Sequence, residues 1–105
     1  LGLSDVKVRL LGSGGGLVYA PLGPTHLATE DLALMRAIPN MTIVAPCDAE
    51  EMERAMMASE RLPGPLYVRI AKGGEAVVSK PEQGFEFGKA IVHRPAGDLL
   101  FVTTA

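Results

Sequence analysis

The sequence of 105 residues has one cysteine, no tryptophan and only 5% aromatic residues. A single thiol, Cys47, rules out an internal disulfide and fits a reducing, cytoplasmic setting. No apolar run approaches the roughly 20 residues that a membrane-spanning helix needs, and no basic stretch precedes an apolar core at the start. Neither a membrane partner nor a signal peptide is expected. Positive charge is not in excess: the net charge is −2. That argues against a nucleic-acid partner, which needs a basic face. What the chain does have is 48% hydrophobic residues, enough for one small domain with a buried core.

The hydrophobic pattern alternates between two periods. Residues 6–11 (VKVRLL) suit a strand, with Lys7 and Arg9 marking a wet face or an edge position. From Leu27 to Ile38, the residues Ala28, Leu32, Met35 and Ile38 fall at steps of three and four, which predicts a helix stopped by Pro39. Residues 41–45 (MTIVA) read as a strand buried on both faces. Asp48 followed by Glu51 is a variant capping box, so a second helix is expected from Asp48, with Met52, Ala55, Met56, Ser59 and Leu62 as its stripe; the methionines Met52, Met56 and Met57 read most simply as core. Pro63-Gly64-Pro65 ends it, and residues 66–71 (LYVRIA) read as a third strand. Strand, helix, strand, helix, strand implies an α/β fold with a partial parallel sheet and flanking helices.

Beyond residue 72 the pattern is lost. Residues 73–84 read as a linker, and 85–93 and 99–104 as two further strands of an incomplete domain. A final apolar run with nothing to pair against suggests a piece of a larger protein.

Three features carry candidate chemistry. The glycines of GSGGGL at 12–17 fail the dinucleotide fingerprint, because Leu17 stands at the sixth position and the helix begins too late. No Gly-Lys-Ser/Thr is present, which excludes a P-loop. Tight turns at a strand end are the simpler use of these glycines. His26 follows Gly23-Pro24-Thr25 beyond the carboxyl end of a predicted parallel strand, where open α/β sheets bind ligands. A capping or core histidine is the alternative. At a helix N-terminus its imidazole would be held neutral. Arg69 interrupts an apolar strand, so it either pairs with a carboxylate or points at an anionic ligand. His26 and Glu30 supply only two of the three ligands that zinc wants, so no metal site is expected in these residues. Cys47 has no evident activating base and reads as a spectator thiol.

The string Gly23-Pro24-Thr25-His26, the helix through Ile38-Pro39-Asn40-Met41, and then Ala45-Pro46-Cys47-Asp48 resembles transketolases. The likeness is to the second half of their pyrimidine-binding domain, over residues 1–72, with 85–105 resembling the start of their C-terminal domain. Deoxyxylulose-phosphate synthases and 2-oxoacid dehydrogenase β subunits are cousins.

The resemblance implies a thiamin-diphosphate-dependent transferase that moves a two-carbon ketol unit from a ketose or 2-oxo donor to an aldehyde acceptor. His26 matches a catalytic and cofactor-binding histidine that faces the cofactor's reactive carbon and the substrate oxygens. Arg69 matches an arginine that grips the substrate phosphate. Two positions depart from the sugar-phosphate enzymes: Leu22 replaces an aspartate that reads sugar hydroxyls, and Gly14 replaces a phosphate-binding histidine. The ligands of the diphosphate and Mg2+ are expected outside this chain, on a second copy or a complementary thiamin-diphosphate-binding subunit. The isolated chain is therefore expected to be inactive. A non-catalytic dimerisation module and a piece of a 2-oxoacid dehydrogenase β subunit are the alternatives.

Overall fold

The computed structural model describes residues 2–104. Three strands, β1 (Arg9–Ser13), β2 (Thr42–Val44) and β3 (Leu66–Ile70), form one parallel sheet in the order β1-β3-β2. Helices α1 (Asp31–Arg36) and α2 (Ala49–Ser59) make the two crossovers. The expected β-α-β-α-β order is the one that forms. Strand β3 takes the centre, where Leu66 and Val68 are fully buried and Tyr67 nearly so. Strand β2, expected to be buried on both faces, lies instead at an edge and is half-buried.

The register pairs Leu10 and Ile43 with Tyr67, and Gly12 with Arg69. Side chains alternate along a strand, so these residues share one face, and Arg9, Leu11, Leu66, Val68 and Val44 share the other. Asp31 of α1 meets the first face at Tyr67 and Arg69. On the second face Arg9 crosses to the far end of α2. It donates to the carbonyls of Ser59, Leu62 and Gly64, the last two at 2.9 Å. The Ser59 carbonyl ends α2, where intrahelical donors run out, and the Leu62 and Gly64 carbonyls belong to the segment that follows it. These bonds account for a charged residue on an edge strand.

Several boundaries move for physical reasons. Strand β1 starts later than expected and runs on through Gly12 and Ser13. Helix α1 begins at Asp31, not Leu27, because Leu27 is extended (φ −93°, ψ 137°) and Ala28 is held in a bridge to Gly16. In α2, Asp48 caps as expected, accepting from the Glu51 N–H at 2.8 Å. The Glu51 carboxylate reaches back one residue further than a standard box, to the Cys47 N–H at 2.7 Å. Ala55 and Ser59 are the buried members of the α2 stripe, whereas Met57 is 64% exposed and not part of the core.

The stretch 73–84 holds only the 3₁₀ turn Pro81–Gln83, yet it is not free. The Asp48 carboxylate accepts from the N–H groups of Val78 (2.8 Å) and Ser79 (2.7 Å) and from the Ser79 hydroxyl (2.7 Å). Arg54 donates to the same hydroxyl at 2.6 Å. The two further strands expected at 85–93 and 99–104 do not form. A strand exists only through pairing, and among the described residues neither run is hydrogen-bonded into a sheet. Phe101 is accordingly 87% exposed. Among the described residues no helix is long and apolar enough to cross a membrane.

Candidate active site

The chain leaves the carboxyl end of β1 through Gly14, Gly15 and Gly16. The N–H groups of Gly14 and Gly15 both donate to the Ile70 carbonyl, at 3.0 and 3.1 Å. Gly16 and Ala28 then exchange two backbone hydrogen bonds, at 2.9 and 3.1 Å, in an antiparallel bridge. This bridge is the neck of a loop, 17–27, that carries two 3₁₀ turns, Ala20–Leu22 and Pro24–His26.

The glycines have a definite use here. A Cβ on Gly12 would collide with the Tyr67 hydroxyl, and one on Gly15 with Nε of Arg69. Tyr67 and Arg69 lie two apart on β3 and lean the same way over the end of β1, so the backbone beneath them must be bare. The N–H groups of residues 14–16 are all committed to protein carbonyls. They cannot cradle a phosphate.

His26 is the last residue of its turn and is exposed. Its Nδ1 lies 3.0 Å from the Thr25 hydroxyl. Among the described residues Nε2 has no protein hydrogen bond, and it can act as donor or acceptor according to the tautomer. Gly23 has φ 86° and ψ −178°, a region essentially restricted to glycine, and Pro24 fixes the next angle. The imidazole is thus aimed by its own turn. The helix N-terminus expected beside His26 lies instead at Asp31, so the imidazole does not sit at the start of α1.

Arg69 takes the first of its two open possibilities, pairing with a carboxylate. Its Nε lies 3.5 Å from Asp31 Oδ2, with both side chains 14% exposed. Its Nη2 donates to the Ala28 carbonyl at 2.9 Å. Among the described residues Nη1 has no protein hydrogen bond. The same Asp31 oxygen accepts from the Tyr67 hydroxyl at 2.8 Å. Burial, and then that bond to an anion, push the Tyr67 hydroxyl up to about 12, against the pull of Arg69. The other oxygen, Asp31 Oδ1, is buried without a hydrogen-bond partner among the described residues.

Sequence reasoning missed Asp31 and Tyr67. Asp31 falls within the predicted helix 27–38 and Tyr67 within the predicted strand 66–71, with no role assigned to either. The one available signal was the arginine in an apolar strand, which demands a buried partner without naming it.

The remaining candidates lie apart from this cluster. Cys47 is a free thiol pushed up to about 12, first by burial and then by the neighbouring Glu51 carboxylate. A thiolate is disfavoured at this position. The Glu30 carboxylate accepts from the Thr29 hydroxyl at 2.9 Å. Among the described residues no three His, Cys, Asp or Glu side chains gather as metal ligands.

The family model described as "Transketolase, pyrimidine binding domain" matches residues 1–74. The chain is 44% identical over 102 residues to an uncharacterized transketolase family protein of Sinorhizobium fredii, covering 95% of this chain and 28% of that protein. It is 36% identical over 104 residues to one of the subunits of the apulose-4-phosphate transketolase of Phocaeicola vulgatus, covering 97% of this chain and 33% of that one. A solved structure described as "Split gene transketolase, inactive beta4 tetramer" is similar with a TM-score of 0.75 at 29% identity, covering 90% of this chain and 30% of that one. The chain thus spans about a third or less of each of these proteins.

Proposed function

The chain belongs to the transketolase family, through its pyrimidine-binding domain, and from that premise we propose that it is one part of an enzyme moving a two-carbon ketol unit. The donor is a ketose or 2-oxo compound and the acceptor an aldehyde. The observation that carries this is the Gly23–His26 turn. It stands on the loop leaving the carboxyl end of β1, with Nε2 of an exposed, locally aimed imidazole free for a ligand.

The family is one of thiamin-diphosphate-dependent transferases, and that cofactor supplies the carbanion chemistry. The donor set here suits the cofactor's reactive edge and not its diphosphate: one open imidazole nitrogen, and glycine N–H groups already spent. In this proposal His26 is the catalytic and cofactor-facing residue, exchanging one hydrogen bond with the reacting oxygen. Arg69 offers Nη1 to an anionic group of the substrate, while its other nitrogens stay with Asp31 and Ala28. The diphosphate and Mg2+ ligands come from a second copy or a complementary subunit. Residues 85–105 begin a further domain, after a linker at 73–84. The loop also bears exposed Leu22, which presents an apolar surface where a sugar-reading carboxylate would stand.

The test is His26→Ala in the intact protein together with its complementary subunit. Transfer should fall by well over tenfold, and survival within about tenfold, roughly 1.4 kcal/mol of barrier, would sink the assignment.

A second reading, that the chain alone is an assembly unit without activity, has one observation behind it. The similar split-gene structure is described as an inactive β4 tetramer. Titration calorimetry with thiamin diphosphate and Mg2+ separates the two. Binding only after the complementary subunit is added supports the shared site; no binding in either case leaves the assembly role.

A further inference from the structure

Asp31 meets Arg69 beside the neck of the His26 loop and Tyr67 meets Asp31, and neither touches substrate in the chemistry proposed above. We infer that Asp31 and Tyr67, acting through Arg69, are positioning residues that hold this neck closed and so fix where His26 stands. The inference rests on the proposed role of His26, but its structural half is measurable without activity.

The loop has little to hold itself in place. Neither of its 3₁₀ turns contains a buried residue or a side-chain cap hydrogen bond. Leu17 is 63% and Leu22 59% exposed. A segment with so few buried contacts opens locally at low cost unless its ends are tied. The tie is the Gly16–Ala28 bridge, and Ala28 lies two residues beyond His26.

The Ala28 carbonyl is the joint. It accepts from the Gly16 N–H at 2.9 Å and from Arg69 Nη2 at 2.9 Å. The Arg69 stem lies flat across Gly15, so the arm presses on one side of the neck and bonds the other. A guanidinium reaching this way needs its angle set, and Asp31 Oδ2 sets it from the Nε side. The Tyr67 hydroxyl, 2.8 Å from that same oxygen, fixes the carboxylate in turn. Each link lies more than thirty residues from its partner in the chain, so the cluster ties α1, β3 and the loop neck into one unit.

Asp31→Asn and Tyr67→Phe test this in the intact protein with its complementary subunit, because both leave the Arg69 charge and Nη1 in place. Hydrogen–deuterium exchange at the Gly16 and Ala28 amides should quicken about tenfold in Asp31→Asn and less in Tyr67→Phe, with peptides of α2 unchanged. Arg69→Lys, which keeps a charge but loses the fork, should do the same. In turnover, kcat should fall while the donor KM stays within about threefold. Unchanged exchange at the neck in these variants overturns the inference. So does a rise in KM at constant kcat and constant exchange, since Asp31 would then serve only to aim Arg69 at substrate. If Asp31→Asn fails to fold, Tyr67→Phe decides, because it keeps the ring over Gly12 and removes one oxygen. His26→Ala is the control: it should abolish transfer and leave the neck protected. Transfer surviving in that variant would defeat the role of His26 while the exchange data still judged the clamp.

Discussion

The side chain of Arg69 occupies the space that a methyl group on Gly15 would need. Gly15 is thus required for room and not for its backbone angle, since its φ lies outside the left-handed region. Gly15→Ala should push Arg69 off the neck and cost about 1–3 kcal/mol, the usual range for an overpacked site. The mechanism is checked by a double-mutant cycle with Arg69→Ala, read by urea unfolding. The two changes should couple strongly, and simple additivity would show that Gly15 matters for another reason.

Gly23 makes the opposite case. Nothing lies within 4 Å of where its Cβ would stand, but its φ is 86°. Gly23→Ala should cost about 1–3 kcal/mol through backbone strain alone. No second-site deletion should recover it. Gly23 supplies the unusual angle that the chain takes just before Pro24.

The alternation of periods made the three strands and two helices readable, and Asp48 was found as a cap because its partner Glu51 is three residues away. Local chemistry leaves local traces. The Asp31–Tyr67–Arg69 cluster leaves only Arg69 as a mark, since its partners are drawn to it by the sheet register and a crossover. The late start of α1 was hidden for the same reason: Ala28 fits a helical stripe, but its bridge to Gly16 takes it out of the helix. The strands expected at 85–93 and 99–104 show the reverse error, because apolar runs report a capacity to pair and not a partner.

Asp48 should govern acid sensitivity. Burial alone would raise its carboxyl, but hydrogen bonds from Ser79, Glu51 and Val78 override that and hold it well below the usual carboxylate range. A folded value below the unfolded one, about 3.9, gives stabilisation that is complete above the unfolded value. It drains away as the pH falls from there through the folded value. Asp48→Ala should cost more than about 2 kcal/mol at neutral pH, from a lost cap plus stranded buried donors. Urea unfolding of both proteins at pH 7 and near pH 3 should show the gap narrowing in acid. A gap independent of pH would mean that the carboxylate's charge contributes nothing.

Cys47 should resist alkylation. With the thiol pushed up to about 12, almost none is thiolate at pH 8, and the greater nucleophilicity of a high-pKa thiolate restores only part of the loss. Against a free thiol near 8.5, modification by iodoacetamide should be slower by about a hundredfold in the folded protein. Reaction at the rate of a free thiol under native conditions would show that Cys47 is ionised by a group not accounted for.

Tyr67 should have the mirror-image effect at alkaline pH. Its hydroxyl is pushed up to about 12 by burial and by the bond to Asp31. A folded value above the unfolded one, near 10, gives stabilisation that is complete below about pH 10 and lost as the pH rises through the folded value. Tyr67→Phe keeps the ring over Gly12 and removes the donor to Asp31 Oδ2, leaving that carboxylate with the Arg69 ion pair alone. A hydrogen bond to a charged group is worth about 1.5–3 kcal/mol, so unfolding at neutral pH should show a loss in that range. The difference in phenolate absorbance between the two proteins should titrate near pH 12, with circular dichroism recorded at each point to confirm that the fold persists. A midpoint near 10 in folded protein would break the link between Tyr67 and Asp31, and the loop neck would then depend on the Arg69–Asp31 pair without Tyr67.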